Sequence, residues 1–184
     1  MDFKGIVLVL TVFCLLSSVH AAKCSQKKPA AAIDWGLFKG EWYQYKSFGD
    51  GFHRTFSRCL KDVYVTKDDS SSYREHSYMT RLLPIHFSSK NLINVISTST
   101  FTLKSNGWFS SDVTFTLLDA DYSNYAVLWS CKDGLFKTSE SSWILTKSRE
   151  PQFSLDTQQK LEASLQKFGL SLAQYGDVSQ SSCN

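Results

Sequence analysis

The chain has 184 residues, 42% hydrophobic and 14% aromatic, with a formal net charge of +3 at pH 7. This length is typical of a single domain. Its 20 basic and 17 acidic residues are spread along the chain without a dense Lys/Arg block, which argues against nucleic-acid or heparin binding.

The N-terminal segment has the organisation of a secretory signal peptide. Lys4 precedes an apolar run over 6–16, and Val19 and Ala21 stand at the −3 and −1 positions of a cleavage site. The apolar run is about half as long as the roughly 20 residues that a bilayer-spanning helix needs. We therefore expect 1–21 to be removed and 22–184 to form one exported domain without a membrane span.

Four cysteines remain after the signal: Cys24, Cys59, Cys131 and Cys183. An even number in a secreted domain predicts two disulfides, and the sequence alone allows three pairings. No C-x-x-C pair or Cys/His cluster occurs in the sequence, so we expect no metal site. Pairing of all four cysteines would also leave no free thiol for catalysis.

Between Gly40 and Lys147 the chain consists of short runs typical of strands, separated by Gly, Asn and Asp turns. In chain order the runs are 41–48, 56–66, 72–83, 91–104, 113–118, 125–131 and 141–147. The run over 91–104 is long enough to form two strands. So many strands in a short chain predict an all-β meander that closes into a barrel, because closure removes the exposed sheet edges.

The last part of the chain changes to a helical period. One apolar stripe recurs at helical spacing and consists of Leu161, Leu165, Phe168 and Leu172. Asp156 can cap this helix at its N-terminus and Gly169 can end it. A single amphipathic helix that follows a barrel must pack on the outside of the barrel.

Two short motifs are weak separately and informative together. The first is Gly40-Glu41-Trp42, and the second is the Asp-rich turn that contains Asp121-Tyr122. In this order, in an oxidised and strand-rich chain, they indicate a small secreted barrel whose function depends on its interior.

Three segments resemble the lipocalin family, and within it the invertebrate insecticyanin, bilin-binding protein, crustacyanin and apolipoprotein D group. Segment 34–43 resembles the short helix that leads into the first strand. Segment 121–126 resembles the T-D-Y-x-x-Y-A turn between the sixth and seventh strands, with Ala120 where Thr is usual. Segment 143–151 resembles the last strand and its basic residue. The resemblance implies an eight-stranded antiparallel up-and-down barrel with a C-terminal α-helix packed outside.

The resemblance gives Gly40, Trp42, Asp121, Tyr122 and a basic residue of the last strand structural roles. Gly40 permits close backbone approach, so the side chain of Trp42 can close the base of the barrel. The cation above this ring is either Arg149 or Lys147, which lie on the same side of a strand because they are two residues apart. We expect Arg149, because a planar guanidinium stacks well on an aromatic ring.

The family's usual disulfides correspond to Cys24–Cys131 and Cys59–Cys183 in this chain. The first would tie the N-terminal segment to the seventh strand, and the second would tie the C-terminal tail to the second strand. In chain-entropy models, a disulfide that closes a loop of this size stabilises the folded state by about 4–5 kcal/mol. We therefore expect both disulfides to be structural.

An eight-stranded barrel either fills with side chains or holds one small ligand, and the resemblance favours a ligand cavity. The positions that contact ligand in this group correspond to Tyr64, Phe115, Leu117, Leu128, Trp143 and Leu145. The alternative for each of them is ordinary core packing. We expect 47–55, with Gly49, Gly51 and His53, to form the large loop at the mouth.

We do not expect an enzyme. None of His53, His76 and His86 lies in a known catalytic motif, and the free thiol of the prostaglandin-synthase lipocalins is not expected here. His76 is the only histidine inside a clear strand run, so a haem-binding function would depend on it.

The sequence therefore predicts a secreted carrier that binds a small hydrophobic ligand, of bilin, carotenoid, retinoid, sterol or fatty-acid type. No cofactor is required, although a bilin or carotenoid pigment is a candidate for the bound molecule. The alternative is a salivary, venom or allergen-type lipocalin that binds a protein partner or scavenges a host mediator through its mouth loops.

Overall fold

The computed structural model describes residues 23–24, 27–29, 32–66, 71–105, 111–134 and 137–183, without the Phe52 side chain. The signal peptide predicted over 1–21 lies outside the described residues and stays a prediction. Among the helices described, none has the length and apolar character that crossing a membrane requires.

Eight antiparallel strands form the barrel, each paired with the next along the chain. They are β1 (Gly40–Phe48), β2 (Ser57–Val65), β3 (Tyr73–Thr80), β4 (His86–Val95), β5 (Thr100–Leu103), β6 (Val113–Asp121), β7 (Tyr125–Lys132) and β8 (Ser139–Thr146). The first strand pairs with both β2 and β8, which closes the sheet. The predicted fold class is therefore confirmed.

The predicted run over 91–104 forms two strands, and the first of them begins earlier than predicted. β4 starts at His86, five residues before the predicted boundary at Asn91. Most side chains of β4 are exposed, so its first half shows no apolar alternation in the sequence. Its pairing with β3, which runs from His86 to Leu92, forms this half of the strand.

β1 changes partners along its length. Gly40 to Tyr43 pair with β2, whereas Tyr43 to Phe48 pair with β8. A two-residue strand, β9 (Gly176–Asp177), pairs with Lys46 and Ser47 of β1.

The C-terminal tail fills the seam that opens between β1 and β2. The Gln180 side chain donates from Nε2 to the carbonyl of Gln44 on β1, at 3.0 Å, and to that of Leu60 on β2, at 2.9 Å. The amide of Cys59 donates to the carbonyl of Ser179 at 2.8 Å. The tail therefore satisfies backbone groups that the two strands do not satisfy for each other.

The described residues form three α-helices besides the barrel: α1 (Trp35–Phe38), α2 (Gly51–Phe56) and α3 (Leu155–Lys167). The mouth loop predicted over 47–55 contains most of α2. In α3 the N-cap is Ser154, whose side chain accepts from the Thr157 amide at 3.1 Å, so the expected cap, Asp156, instead lies in the first turn.

The end of α3 agrees with the sequence. Phe168 is the C-cap, and Gly169 follows with a φ of +69°, a left-handed conformation that glycine adopts without strain. Leu161 and Leu165 are fully buried against the outer faces of β6, β7 and β8. Leu172 lies beyond the helix in a 3-10 turn, Leu172–Gln174.

Alternation along the strands produces two apolar clusters. Inside the barrel, Leu128 and Leu145 belong to a cluster that also contains Phe38, Trp42, Tyr64 and Phe101. Outside it, Val127 and Ile144 belong to a cluster with Leu161 and Leu165 of α3. The helix therefore covers the outer face of the sheet, as predicted.

The two disulfides join the pairs that the resemblance implied. The Cα atoms of Cys24 and Cys131 are 5.8 Å apart, and those of Cys59 and Cys183 are 5.5 Å apart. They close loops of 107 and 124 residues.

Trp42 closes the base of the barrel, but its cation is Lys147. The ring is fully buried, and its Nε1 donates to the Phe38 carbonyl at 2.7 Å. Lys147 Nζ lies 3.8 Å from the ring centroid, while the Arg149 guanidinium lies 4.5 Å from the ring of Tyr43. Our expectation of Arg149 was wrong because β8 ends at Thr146, and the bends that follow break the strand alternation on which it relied.

The remaining motif residues have local structural roles. Asp121 accepts from the amide of Ser123 at 3.1 Å and from Nδ2 of Asn124 at 2.7 Å, which holds the turn between β6 and β7. The Tyr122 hydroxyl accepts from the amide of Asp34 at 2.9 Å and so ties this turn to α1. Gly40 has a φ of +96° at the start of β1.

Candidate functional site: a cavity inside the barrel

A cavity of about 480 Å³ lies within the barrel, between the mouth and the packed base. Asp50 and His53, from the connection between β1 and β2, form part of its wall at the mouth. Trp42 and Phe38 lie in the core beneath it. The cavity size falls within the range of small-molecule sites in proteins.

Five of the six positions predicted to contact ligand line this cavity: Tyr64, Phe115, Leu128, Trp143 and Leu145. Leu117 does not. It lies two residues further along β6, toward the turn at the base, and packs in the inner core. The prediction for Leu117 therefore needs correction, since an inward-facing residue of a tapering barrel can lie below the cavity floor.

Aromatic and aliphatic side chains form the wall on β6, β7 and β8. The rings of Phe115 and Trp143 are 5.2 Å apart, and Phe101 stacks on Phe115 from below at 5.6 Å. Trp143 Nε1 donates to Asp50 Oδ2 at 3.1 Å, which ties this wall to the loop before α2. A flat or conjugated apolar group would find extensive contact here.

The opposite wall carries a buried polar cluster that the sequence analysis missed. Its centre is Asp62, which is only 1% exposed. Oδ1 of this residue lies 2.8 Å from His76 Nδ1 and 3.4 Å from Arg74 Nη1, and Oδ2 accepts from Gln44 Nε2 at 3.1 Å. All four side chains line the cavity.

Strand alternation explains how these residues meet. Asp62 lies two residues before Tyr64 on β2, so both side chains point inward. Arg74 and His76 share the inward face of β3, where Tyr64 pairs with Arg74 and Asp62 pairs with His76. An aspartate two residues from a predicted interior tyrosine was the sequence signal for this cluster.

Asp62 is ionised despite its burial. Desolvation alone would raise the pKa of its carboxyl group, but the charges of Arg74 and His76 and the hydrogen bonds from His76 and Gln44 outweigh it and hold the pKa at about 2. Burial raises the pKa of the neighbouring Tyr64, which therefore stays protonated.

Two buried polar atoms of this wall have no hydrogen-bond partner among the described residues: Gln44 Oε1 and Arg74 Nε. Buried polar atoms are normally paired, and each unpaired one costs about 1–3 kcal/mol. Both side chains line the cavity, so a small rotation would present these atoms to a bound molecule.

His53 of α2 lies near the top of this cluster. Its ring centroid is 6.3 Å from that of His76 and 5.5 Å from that of Tyr78. Within the part of the chain that is described, no group of three or more His, Cys, Asp and Glu side chains could hold a metal ion.

Comparisons with known proteins agree with this architecture. The family model described as "Lipocalin / cytosolic fatty-acid binding protein family" matches residues 39–182. The Lazarillo protein of Schistocerca americana is 23% identical in an alignment 203 positions long, which covers 97% of this chain and 86% of the relative.

Two solved structures show the same fold at low sequence identity. Insecticyanin from the tobacco hornworm Manduca sexta is 16% identical with a TM-score of 0.75, covering 89% of each chain. The amine binding protein of Rhodnius prolixus, solved as its tryptamine complex, is 18% identical with a TM-score of 0.65, covering 85% of this chain and 86% of that one.

Proposed function

The chain belongs to the lipocalin / cytosolic fatty-acid binding protein family, and from that premise we propose that it is a secreted carrier of one small ligand. The observation that carries the proposal is the cavity of about 480 Å³, with an aromatic wall on one side and a buried polar cluster on the other. The amine-binding relative, solved with tryptamine, supports small-ligand binding in this fold.

The ligand has an apolar body and at least one polar group. Phe115 and Trp143 offer ring faces to a flat or conjugated body. Bilins and retinoids combine such a body with polar ends, as do the oxygenated carotenoids. A pure hydrocarbon would give Gln44 Oε1 and Arg74 Nε no hydrogen-bond partner, which would lower its affinity.

We propose binding without catalysis. Asp62 would be the obvious general base in the cavity, but both of its oxygens are engaged, by His76 and Arg74 at one and by Gln44 at the other. A carboxylate with a pKa near 2 is also a weak base at neutral pH.

Secretion rests on two observations. The sequence over 1–21 has the organisation of a signal peptide. Two disulfides join residues far apart in the chain, and such bonds persist in oxidising compartments. N-terminal sequencing of the exported protein should begin at Ala22.

Ligand titration tests the carrier function. Retinol, biliverdin or a fatty acid should quench tryptophan fluorescence, and Trp143→Phe should remove most of that quenching. Leu128→Arg should abolish binding by placing a charge in the cavity, while circular dichroism reports an intact sheet. Absence of quenching by all three ligand classes would contradict the proposal.

A second candidate function is protein binding through the mouth. Phe56, Leu82 and Leu83 are 56%, 94% and 60% exposed, and such apolar side chains on a rim favour contact with a partner. Saturable protein binding that is lost in Leu82→Ser/Leu83→Ser, together with no small-molecule binding, would favour this function over carriage.

A further inference from the structure

The two walls of the cavity differ in chemistry, and the polar wall determines which end group a ligand can present. Gln44, Asp62 and the pair Arg74 and His76 come from three adjacent strands, β1, β2 and β3. Leu128, on β7, belongs to the apolar wall opposite. A ligand with one apolar and one polar end would therefore be oriented across the barrel.

Asp62 and Arg74 compensate each other's charge within the polar wall. Asp62 carries one negative charge, and Arg74 beside it carries one positive charge. The carboxylate has His76 and Arg74 at Oδ1 and Gln44 at Oδ2, so a ligand ammonium would meet oxygens that already have partners and a charge that Arg74 already compensates. Asp50, at the mouth, already accepts from Trp143 Nε1.

Both terminal nitrogens of Arg74 also have partners. Its Nη1 faces Asp62, and its Nη2 donates to Asn91 Oδ1 at 3.4 Å. A ligand carboxylate at this site would meet a guanidinium whose charge is already compensated by the Asp62 carboxylate. It would also lie close to that like charge inside the barrel, where charges are screened less than in bulk water.

Two buried atoms of this wall, one acceptor and one donor, have no partner within the described residues. Gln44 must present Nε2 to Asp62, because an ionised carboxylate only accepts hydrogen bonds, and its Oε1 is left as an acceptor. Arg74 Nε is left as a donor. Both atoms are buried, and within the described residues neither has a partner.

We propose that the polar end of the ligand is an uncharged group with both a hydrogen-bond donor and an acceptor, such as a carboxamide or a lactam. A small rotation of the two side chains toward the cavity would let its N–H donate to Gln44 Oε1 and its carbonyl accept from Arg74 Nε. This inference rests on the proposed carrier function and specifies its ligand class. It separates this chain from a carrier that selects ammonium or carboxylate ligands.

Three indole probes of matched shape test the end group: indole-3-acetamide, tryptamine and indole-3-acetate. Each is titrated into the full exported protein by isothermal calorimetry at pH 8. The acetamide should bind at least about tenfold more tightly than the other two, because only it pairs both atoms without adding a charge. Equal or tighter binding of tryptamine or indole-3-acetate overturns the inference.

Failure of all three probes to bind also overturns the inference, because the polar wall would then confer no recognition. The carrier function is judged separately, by quenching with the larger apolar ligands. Quenching without probe binding, or with the wrong probe order, refutes the end-group inference and leaves the carrier function standing.

Charge variants sharpen the test. Arg74→Met leaves Asp62 without its cation, so tryptamine should gain about tenfold in affinity. Asp62→Asn leaves Arg74 without its anion, so indole-3-acetate should gain about tenfold. Folding of each variant is checked by circular dichroism, and the wild-type probe order decides the question if either one does not fold.

Matched controls remove the same charges from the outer surface of the same strands. Lys61→Met on β2 and Glu75→Gln on β3 alter exposed ion pairs, with Glu41 at 3.1 Å and with Lys90 at 3.9 Å. Both controls should keep the wild-type order of the three probes. A change of order in the controls would mean that net charge, and not the buried cluster, sets the selectivity.

Discussion

Lys147 Nζ lies 3.8 Å from the centre of the Trp42 ring, at the closed end of the barrel. The same ammonium group lies 3.4 Å from the Glu41 carbonyl and 3.5 Å from the Lys39 carbonyl. Burial lowers the pKa of Lys147, in keeping with a cation held against the base of the barrel. This group therefore links the end of β8 to the start of β1.

Replacement of this cation should destabilise the barrel more than replacement of Arg149. Lys147→Met should lower the free energy of unfolding by about 1–2 kcal/mol, through the lost cation–π contact and carbonyl contacts. Arg149→Met should cost less than about 1 kcal/mol, because its contacts with the Tyr43 ring and with Gln180 Oε1 lie outside the barrel. Urea unfolding of both variants gives the comparison, and a larger loss in Arg149→Met would contradict it.

Asp62 should make stability depend on pH in the acid range. Its pKa is about 2 in the folded protein and about 3.9 in an unfolded chain, so the folded state binds fewer protons between these values. Stability from this group is complete above pH 4 to 5 and is lost as the pH falls toward 2. The contribution is on the order of 2–3 kcal/mol.

Unfolding free energies of wild type and Asp62→Asn at pH 7 and pH 2.5 would measure this effect. The difference between the two proteins should shrink at pH 2.5, because the unfolded chain has by then bound the proton and most of the stabilisation by the folded carboxylate is lost. A difference that does not change with pH would show that the carboxylate is not ionised in the fold. Glu75→Gln, on the outer face of β3, serves as the control.

Leu117 and Leu128 are paired on β6 and β7 and are both buried, but only Leu128 lines the cavity. Leu117→Ala and Leu128→Ala should each cost about 2–4 kcal/mol of stability. Only Leu128→Ala should also change the affinity for a quenching ligand. Equal effects of both variants on affinity would extend the cavity floor to Leu117.

Ser154 should contribute more to α3 than Asp156. Ser154→Ala removes the acceptor for the Thr157 amide and should lower stability by about 1 kcal/mol. Asp156→Ala removes only an exposed charge in the first turn and its pair with Lys160, for about 0.5 kcal/mol or less. Thermal unfolding of both variants would rank them.

The sequence predicted those features that depend on local pattern. Gly, Asn and Asp turns marked most of the strands, and the stripe of Leu161 and Leu165 marked the outer helix. β4 began too late in the prediction because its first half pairs with β3 through residues that are mostly exposed. Such a strand depends on its partner, which a periodicity argument does not include.

The sequence analysis predicted most of the apolar residues of the candidate site. It did not predict the polar cluster around Asp62. Tyr64 was expected to face inward, and strand alternation then required Asp62 to do the same. The identity of its partners, Arg74 and His76, depends on the register between β2 and β3. Lys147 was misjudged for a related reason, since the strand ends one residue before it.

The tail over 176–183 completes the wall between β1 and β2, through β9, Gln180 and the Cys59–Cys183 disulfide. Gln180 contacts Gln44 and Leu60 across 136 and 120 positions of the chain. Contacts at such separations form slowly, since loop closure has to precede them. We therefore expect the wall between β1 and β2 to be the last part of the barrel to close.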